Sequence, residues 1–390
     1  MSTTNATLAA QTGTTTWTKP KRLLSIDLLR GLTIAFMIMV NNDGSAAAYT
    51  QMKHSAWNGF TFTDLVFPTF LFLVGMSVVF STASRLARGD SKRSLFLHTV
   101  RRTIILYLLG LLVNSFPYFH LHTVRFYGVL PRIAICYFIA ATLYLISPKW
   151  RSKAILAGAL LIGYWIIMRY IPVPGHGVPG RDIPLLDPDR NLAALIDRHI
   201  FSASHLYERT RDPEGLLSTL PAIATALIGV LTGIWLRSSK TIGQKARGLA
   251  TAGASSVLLG SLWNIWFPIN KKLWTSSFVL FTAGLGLLLL ALSVWVFDSG
   301  EKNRQSRWFT PLHVFGTNAI SAYVFAELLG SAFAVIHVHP GVTLHRWLFH
   351  AINSGIPDAA FASLLYSLGF AAVCWVPMYW LYRKHIFIKV

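Results

Sequence analysis

Charge is scarce in this chain, and acidic charge most of all. Only 13% of the 390 residues are charged, and 15 Asp and Glu stand against 35 Lys and Arg. Soluble domains carry about 25% charged residues, so the composition excludes an ordinary water-soluble globule. Cysteine is almost absent. Cys136 and Cys374 both lie in apolar runs, which excludes a disulfide framework and leaves the redox compartment unread. The first 18 residues are polar and Thr-rich and lack the apolar centre of a signal peptide, so 1–22 is expected to be a disordered tail. There is no repeat of fixed period and no Gly-x-Ser-x-Gly, which argues against a serine nucleophile on an elbow turn. The two His-x-His pairs, His120/His122 and His337/His339, have no Cys or carboxylate cluster beside them, so no metal site is expected.

What the chain does have is apolar length. Hydrophobic residues make up 53% and the mean hydropathy is +0.50. A spanning helix needs about 20 mostly apolar residues. Ten runs qualify, at roughly 23–41, 60–82, 102–118, 127–147, 153–171, 216–237, 249–267, 275–297, 311–338 and 359–382. The expectation is an all-α polytopic membrane protein with a single membrane domain over 23–390. The largest segment outside the runs, 172–215, is rich in Pro and Gly and carries Tyr207, Glu208, Arg209, Asp212 and Glu214. Loops beyond about 12–15 residues tend to be functional or disordered; this one reads as a lid, a substrate-binding wall or a plain ordered connector.

The net charge of +20 could suggest nucleic acid, but its distribution does not. With the N-terminus cytoplasmic, 22 of the 35 Lys and Arg residues fall on the cytoplasmic side, in clusters such as Arg85–Arg102, Lys149–Lys153 and Arg237–Arg247. That alternation is the positive-inside pattern and suits anionic lipid headgroups. Both termini are then expected in the cytoplasm, and nucleic acid is not needed as a partner.

Ionisable residues inside such runs are costly and face the bundle interior. Asp27 and Arg30 sit at i, i+3 on the first run and could neutralise each other, or Arg30 could hold an anionic cofactor group. Arg125 and Arg132 flank the start of the fourth run, as structural anchors or as binders of phosphate or carboxylate. Glu327 stands alone in sequence.

The stretch Asn41–Pro68 packs unusual chemistry between two apolar runs: Asn41, Asn42, Asp43, His54, Asn58 and Asp64. Asn58-Gly59 is a turn signal, and Thr61–Asp64 fits a capping box before the second run. Asp64 could thus be a helix cap whose charge suits the N-terminal dipole. Pro68 cannot donate to the carbonyl of residue 64, which leaves a free acceptor there. His54 could be an interfacial imidazole. With a carboxylate partner it could instead act as a general base or a nucleophile for acyl transfer. Asn41 or Asn42 could then supply an amide to a developing oxyanion.

The blocks SIDLLRGLTIAFMIMVN, KHSAWNGFTFTDLVFPTFLFLVG, VRFYGVLPRIAICYF, RDPEGLLSTLPAIATALIGVLTG, PINKKLWTSSFVLFTAGLGLLLLAL and PLHVFGTNAISAYV resemble, in order, the heparan-α-glucosaminide N-acetyltransferase family and its bacterial homologues. His-x-x-Trp-Asn-Gly and Asp-Leu-Val-Phe-Pro are the specific parts; Ile-Asp-Leu-Leu-Arg-Gly is shared more widely. The resemblance implies transfer of acetyl from cytosolic acetyl-CoA to the amine of a glucosamine across the membrane. It places the active-site histidine on His54, its carboxylate on Asp64 and an asparagine on Asn41, with Asn42 as the alternative. It also places an arginine on Arg125, an acidic residue on Glu214, and Trp57 and Asn58 beside the substrate. It implies a bacterial inner-membrane location.

Two departures stand out. Lysosomal members have an extra lumenal domain and first helix. Their glycine-rich loop after the asparagine is replaced here by Asp43–Ala48, which leaves the acceptor sugar open between heparan-type and cell-envelope amino sugars. The CoA phosphates are expected to meet basic residues, with Arg30, Arg101, Arg102, Arg125 and Arg132 as candidates, and Arg85 and Arg237 behind them. Self-association through the glycines of AGLGLLLLAL is a further expectation. An amino-sugar permease, a non-catalytic scaffold and a transferase of other acyl groups are the rival readings.

Overall fold

The computed structural model describes residues 23–299 and 307–388. The expected tail 1–22, together with Lys302, Arg304 and Lys389 of the charge pattern, lies outside these residues. Among the described residues there are thirteen α-helices: α1 (Leu24–Asn41), α2 (Phe62–Leu86), α3 (Lys92–Ser115), α4 (Val129–Ile146), α5 (Trp150–Tyr170), α6 (Leu192–Ile200), α7 (Thr219–Leu236), α8 (Ile242–Trp263), α9 (Ser276–Asp298), α10 (Thr310–Thr317), α11 (Ala319–Val335), α12 (Leu344–Asn353) and α13 (Ala359–Arg383). The protein is an all-helical polytopic membrane protein. A small hairpin, β1 (His337–His339) with β2 (Val342–Thr343), carries His337 and His339 in exposed positions.

Eight of these helices are long and apolar enough to cross a membrane: α1–α5, α7, α9 and α13. The expected ninth run, 311–338, is not one straight helix. It is α10 and α11 bent by 88° at Asn318, and the pair counts as one broken span. Asn318 leaves the helical region (φ −124, ψ 41) and its side chain ties down the C-terminal segment, donating to Ile386 O at 3.2 Å and accepting from Ile388 N at 2.9 Å. The bend is thus stabilised by polar bonds that a helix interior would not offer.

The shortfall against ten runs is 249–267. Its helix, α8, has 22 residues, but Ser, Thr and Gly make it less apolar than its neighbours. It lies antiparallel along α9, with Gly253 against Gly284 and Gly260 against Phe281, so it runs the same depth as a spanning helix. The glycines of AGLGLLLLAL are therefore used inside the chain: Gly284 faces α8, and Gly286 faces Phe72 and Thr69 of α2. The third run also starts earlier than expected, at Lys92, which puts Arg101 and Arg102 within α3.

The centre of the bundle is the crossing of α2 and α7, the two most buried spans. Glycine sets their separation. A Cβ on Gly75 would sit 1.9 Å from Ala226 O, and one on Gly229 would sit 2.0 Å from Phe72 O. Gly75→Val therefore forces two backbones apart, where overpacking typically costs about 1–3 kcal/mol or more. The expected result is loss of the monodisperse peak on detergent size exclusion. A variant with wild-type elution and melting temperature would contradict this role for the crossing.

The segment 172–215 is ordered by its own polar bonds. Asp187 pairs with Arg190 at 2.7 Å, Asp189 with Arg211 at 2.8 Å, and Trp57 Nε1 donates to Leu186 O at 2.7 Å. It is a wall built onto the bundle end, and it contributes Tyr207, Glu208, Pro213 and Glu214 to the cavity described next.

Candidate active site

The C-terminal end of α1, the N-terminal end of α2, the α3–α4 connection and α11 enclose a cavity of about 590 Å³ with the 172–215 wall. Small-molecule sites span about 300–1,000 Å³, so it falls within the range of a small-molecule site. His54, Asn41, Arg125 and Glu214 line it, as do Lys271 and Glu327.

Asp64 opens α2, and its side chain is 0% exposed. Oδ2 accepts from Thr61 N at 3.1 Å, Thr61 Oγ1 at 3.0 Å and Ser55 N at 3.1 Å. The capping role read from the sequence is thus real. Asp64 Oδ1 is committed elsewhere: it lies 2.8 Å from His54 Nδ1. A carboxylate only accepts, so Nδ1 carries the proton and Nε2 keeps its lone pair. One carboxylate therefore caps the helix, anchors the 55–61 turn and sets the histidine tautomer. The His54 side chain is 43% exposed, on the cavity side.

Lys271 completes this group. Its Nζ lies 2.9 Å from both His54 ring nitrogens and 3.9 Å from Asp64 Oδ1. The ammonium rests against the ring, and because Nδ1 donates to Asp64, Nε2 is the ring atom that accepts from it. Burial depresses the Lys271 pKa, and the charges of Glu214 and Asp64 oppose that shift. The Lys271 loop is held by Asn58 and Asn270. Asn270 donates to Asn58 Oδ1 at 3.1 Å and accepts from Leu273 N at 2.9 Å, while Gly59 N donates to Ile269 O at 2.9 Å. Asn58, expected at the substrate, thus bonds the loop that carries Lys271. Trp57 lies behind the cavity lining, under Arg211 at 4.9 Å, with the lining residue Lys272 at 6.0 Å from its ring and Leu186 O accepting from its Nε1.

Arg125 joins the cavity to the wall. It bonds Asp212 at 2.8 Å through Nε, pairs with Glu214, and stacks on the Tyr207 ring at 4.7 Å. Burial opposes its charge, but Glu214 and Asp212 outweigh that and raise its pKa. Burial alone would raise the pKa of Glu214; Arg125 and Arg132 overrule it and hold the carboxylate ionised. Arg132 is 1% exposed. It lies beneath the cavity, donating to Gly215 O and Ser218 and facing the Trp274 ring at 5.2 Å, where it props the Asp212–Ser218 turn.

Other expected site residues lie elsewhere. Asn42 turns back, donating to Ile38 O at 2.9 Å, and its carbonyl accepts from Ser367 at 3.1 Å; of the two asparagines, Asn41 reaches the cavity. Arg30 ties α1 to its neighbours through Asp27 (3.3 Å), Ser77 (2.8 Å) and Gly316 O (3.3 Å). Arg102 lies over the Tyr137 ring at 4.7 Å, and Arg101 is exposed. At about 1.5 Å per residue, Arg102 is roughly 18 Å along α3 from cavity-lining Asn114. Lys271 and the partnership of Glu327 with Asn41 (2.8 Å) were missed in the sequence. The PINKK block was visible, but nothing local to it points at a histidine 217 residues away.

These features define a polytopic membrane protein with a His–Asp pair opening onto a mixed-charge cavity at one end of its bundle. A family model described as "Heparan-alpha-glucosaminide N-acetyltransferase, catalytic" matches residues 22–259, and the chain belongs to that family. It is 31% identical over 258 residues to the human heparan-alpha-glucosaminide N-acetyltransferase, covering 55% of this chain and 38% of that protein. The mouse protein of the same name is 31% identical over 256 residues, covering 54% and 38%. The chain thus spans well under half the length of these curated relatives in the matched region. The family match holds His54, Asp64, Arg125 and Glu214 and ends before Lys271 and Glu327.

Proposed function

We propose that this protein is a transmembrane acetyltransferase. It moves acetyl from acetyl-CoA to the amine of a terminal glucosamine-type sugar, with His54 at the reacting centre. The observation that carries this reading is the Asp64–His54–Lys271 group, whose half-exposed imidazole, with Nδ1 held by Asp64, lines a sugar-sized cavity. In direct transfer the amine nitrogen attacks the thioester carbon, the C–N bond forms and the C–S bond breaks. The bound ammonium first gives one proton to solvent; as the C–N bond forms, Lys271 moves off Nε2 toward the oxyanion and His54 Nε2 takes the second proton, which ends on the CoA thiol or in solvent. In a relay, Nε2 itself accepts the acetyl group and then yields it to the amine. In either route Lys271 supplies positive charge where the carbonyl oxygen becomes negative.

The loop charges support a bacterial inner-membrane orientation with both termini and the basic loops in the cytoplasm and the cavity outside. That orientation uses ten crossings, with α8 as one of them. The acetyl thioester then has to travel between helices. Arg101 and Arg102, toward the other end of α3, are suited to CoA phosphates, whereas Arg125 is already neutralised by its two carboxylates.

The test is direct. Detergent-purified protein is incubated with acetyl-CoA and glucosamine, and N-acetylglucosamine is read by mass spectrometry. Product formation is expected. Folded protein that forms none from any of a panel of amino sugars, yet takes up labelled glucosamine in proteoliposomes without acetyl-CoA, would favour the permease.

A further inference from the structure

Every carboxylate around the cavity but one has a basic side chain within ion-pair distance among the described residues. Glu208 is paired with Lys272 at 2.7 Å and with Arg211. Glu214 and Asp212 share Arg125. Lys271 lies between His54 and Asp64. Glu327, from α11, also lines the cavity, but its one hydrogen bond among the described residues comes from a neutral amide, Asn41 Nδ2 at 2.8 Å. No Lys, Arg or His lies within ion-pair distance of it among the described residues. A carboxylate on a membrane-spanning helix is costly without a counter-charge. The Asn41 amide orients this one without neutralising it.

Resting on the proposed function, we propose that Glu327, held in place by Asn41, is the specificity-determining residue that binds the acceptor's ammonium group. A primary amine on a sugar is cationic at neutral pH, and it would bring Glu327 a counter-charge. The site then distinguishes acceptor from product. Acetylation turns the ammonium into a neutral amide, the ion pair is lost, and the product leaves. A sugar with a hydroxyl in place of the amine gains nothing from Glu327. Asn41 thereby acquires a defined role. One N–H of its amide goes to Glu327 Oε1, so it positions the carboxylate.

The experiment compares wild type with Glu327→Gln, which is isosteric and still accepts from Asn41. The KM for glucosamine is expected to rise about 10–100-fold, as for a buried charge pair deprived of one partner, while the KM for acetyl-CoA stays put. Thermal stabilisation by glucosamine without acetyl-CoA is expected in wild type and absent in the variant, and weak inhibition by glucose is expected to be equal in both. A glucosamine KM within twofold of wild type overturns the proposal, and so does equal weakening of glucosamine and glucose. If Glu327→Gln does not yield folded protein, Glu327→Asp, which withdraws the carboxylate by one methylene, is read by the same glucosamine-to-glucose comparison. Wild type that acetylates no amino sugar defeats the proposed function. Active wild type with an unchanged KM in Glu327→Gln defeats only this inference.

Discussion

Replacing His54 by alanine is expected to lower kcat for acetyl transfer by about 10²–10⁴-fold, the usual contribution of a positioned acid–base group. The protein is expected to remain folded. The imidazole is 43% exposed, its partner Asp64 keeps Thr61 N, Thr61 Oγ1 and Ser55 N, and Lys271 stays 3.9 Å from Oδ1. The loss therefore falls on kcat, with a melting temperature near that of wild type. If His54 carries the acetyl group, the loss reaches the top of the range, and wild type accumulates an acetyl-enzyme that can be trapped by quench. Wild-type turnover in folded His54→Ala would remove the histidine from the chemistry.

Asp64→Asn is expected to be nearly as damaging, and it separates the two roles of this residue. Oδ2 accepts three donors, so the asparagine must place its carbonyl oxygen there. Its NH₂ then faces His54 Nδ1 at the position of Oδ1. Nδ1 is forced to accept, the proton moves to Nε2, and the lone pair facing the cavity is gone. The asparagine carbonyl oxygen, at N3 of the capping box, still accepts from Thr61 N. The expected outcome is a kcat loss of about 10²-fold or more with little change in melting temperature. If Asp64 were only a cap, the variant would be close to wild type in both.

Much of the site was legible because its first half is local. His54 and Asp64 are ten residues apart, the Asn-Gly turn between them is a strong signal, and the capping pattern at Thr61–Asp64 appears as expected. The apolar runs were equally readable, since spanning length is a property of contiguous sequence. The second half comes from tertiary contacts. Lys271 is one of two adjacent lysines in the PINKK block, and only the Asn58–Asn270 bond brings its loop to His54. Glu327 looks solitary because its partner, Asn41, is 286 residues away. The bend at Asn318 was hidden because Asn is tolerated in a helix; only the docking of Ile386 and Ile388 makes the break favourable. Arg30 and Arg132 were read as candidate anion binders because buried arginines often are. In the fold Arg30 bonds Ser77 and Gly316 O, and Arg132 bonds Gly215 O and Ser218 through Nη2 alone, contacts that no local pattern announces.

The central claim is that acetyl transfer takes place in the cavity at His54. The most direct measurement is an electron cryomicroscopy structure with a non-transferable thioether analogue of acetyl-CoA and glucosamine bound together. The acceptor nitrogen is expected within hydrogen-bonding reach of His54 Nε2, and the acyl carbon about 3–3.5 Å from the attacking atom. Both ligands bound with the acceptor outside this cavity, or with the acyl group out of reach of it, would contradict the claim.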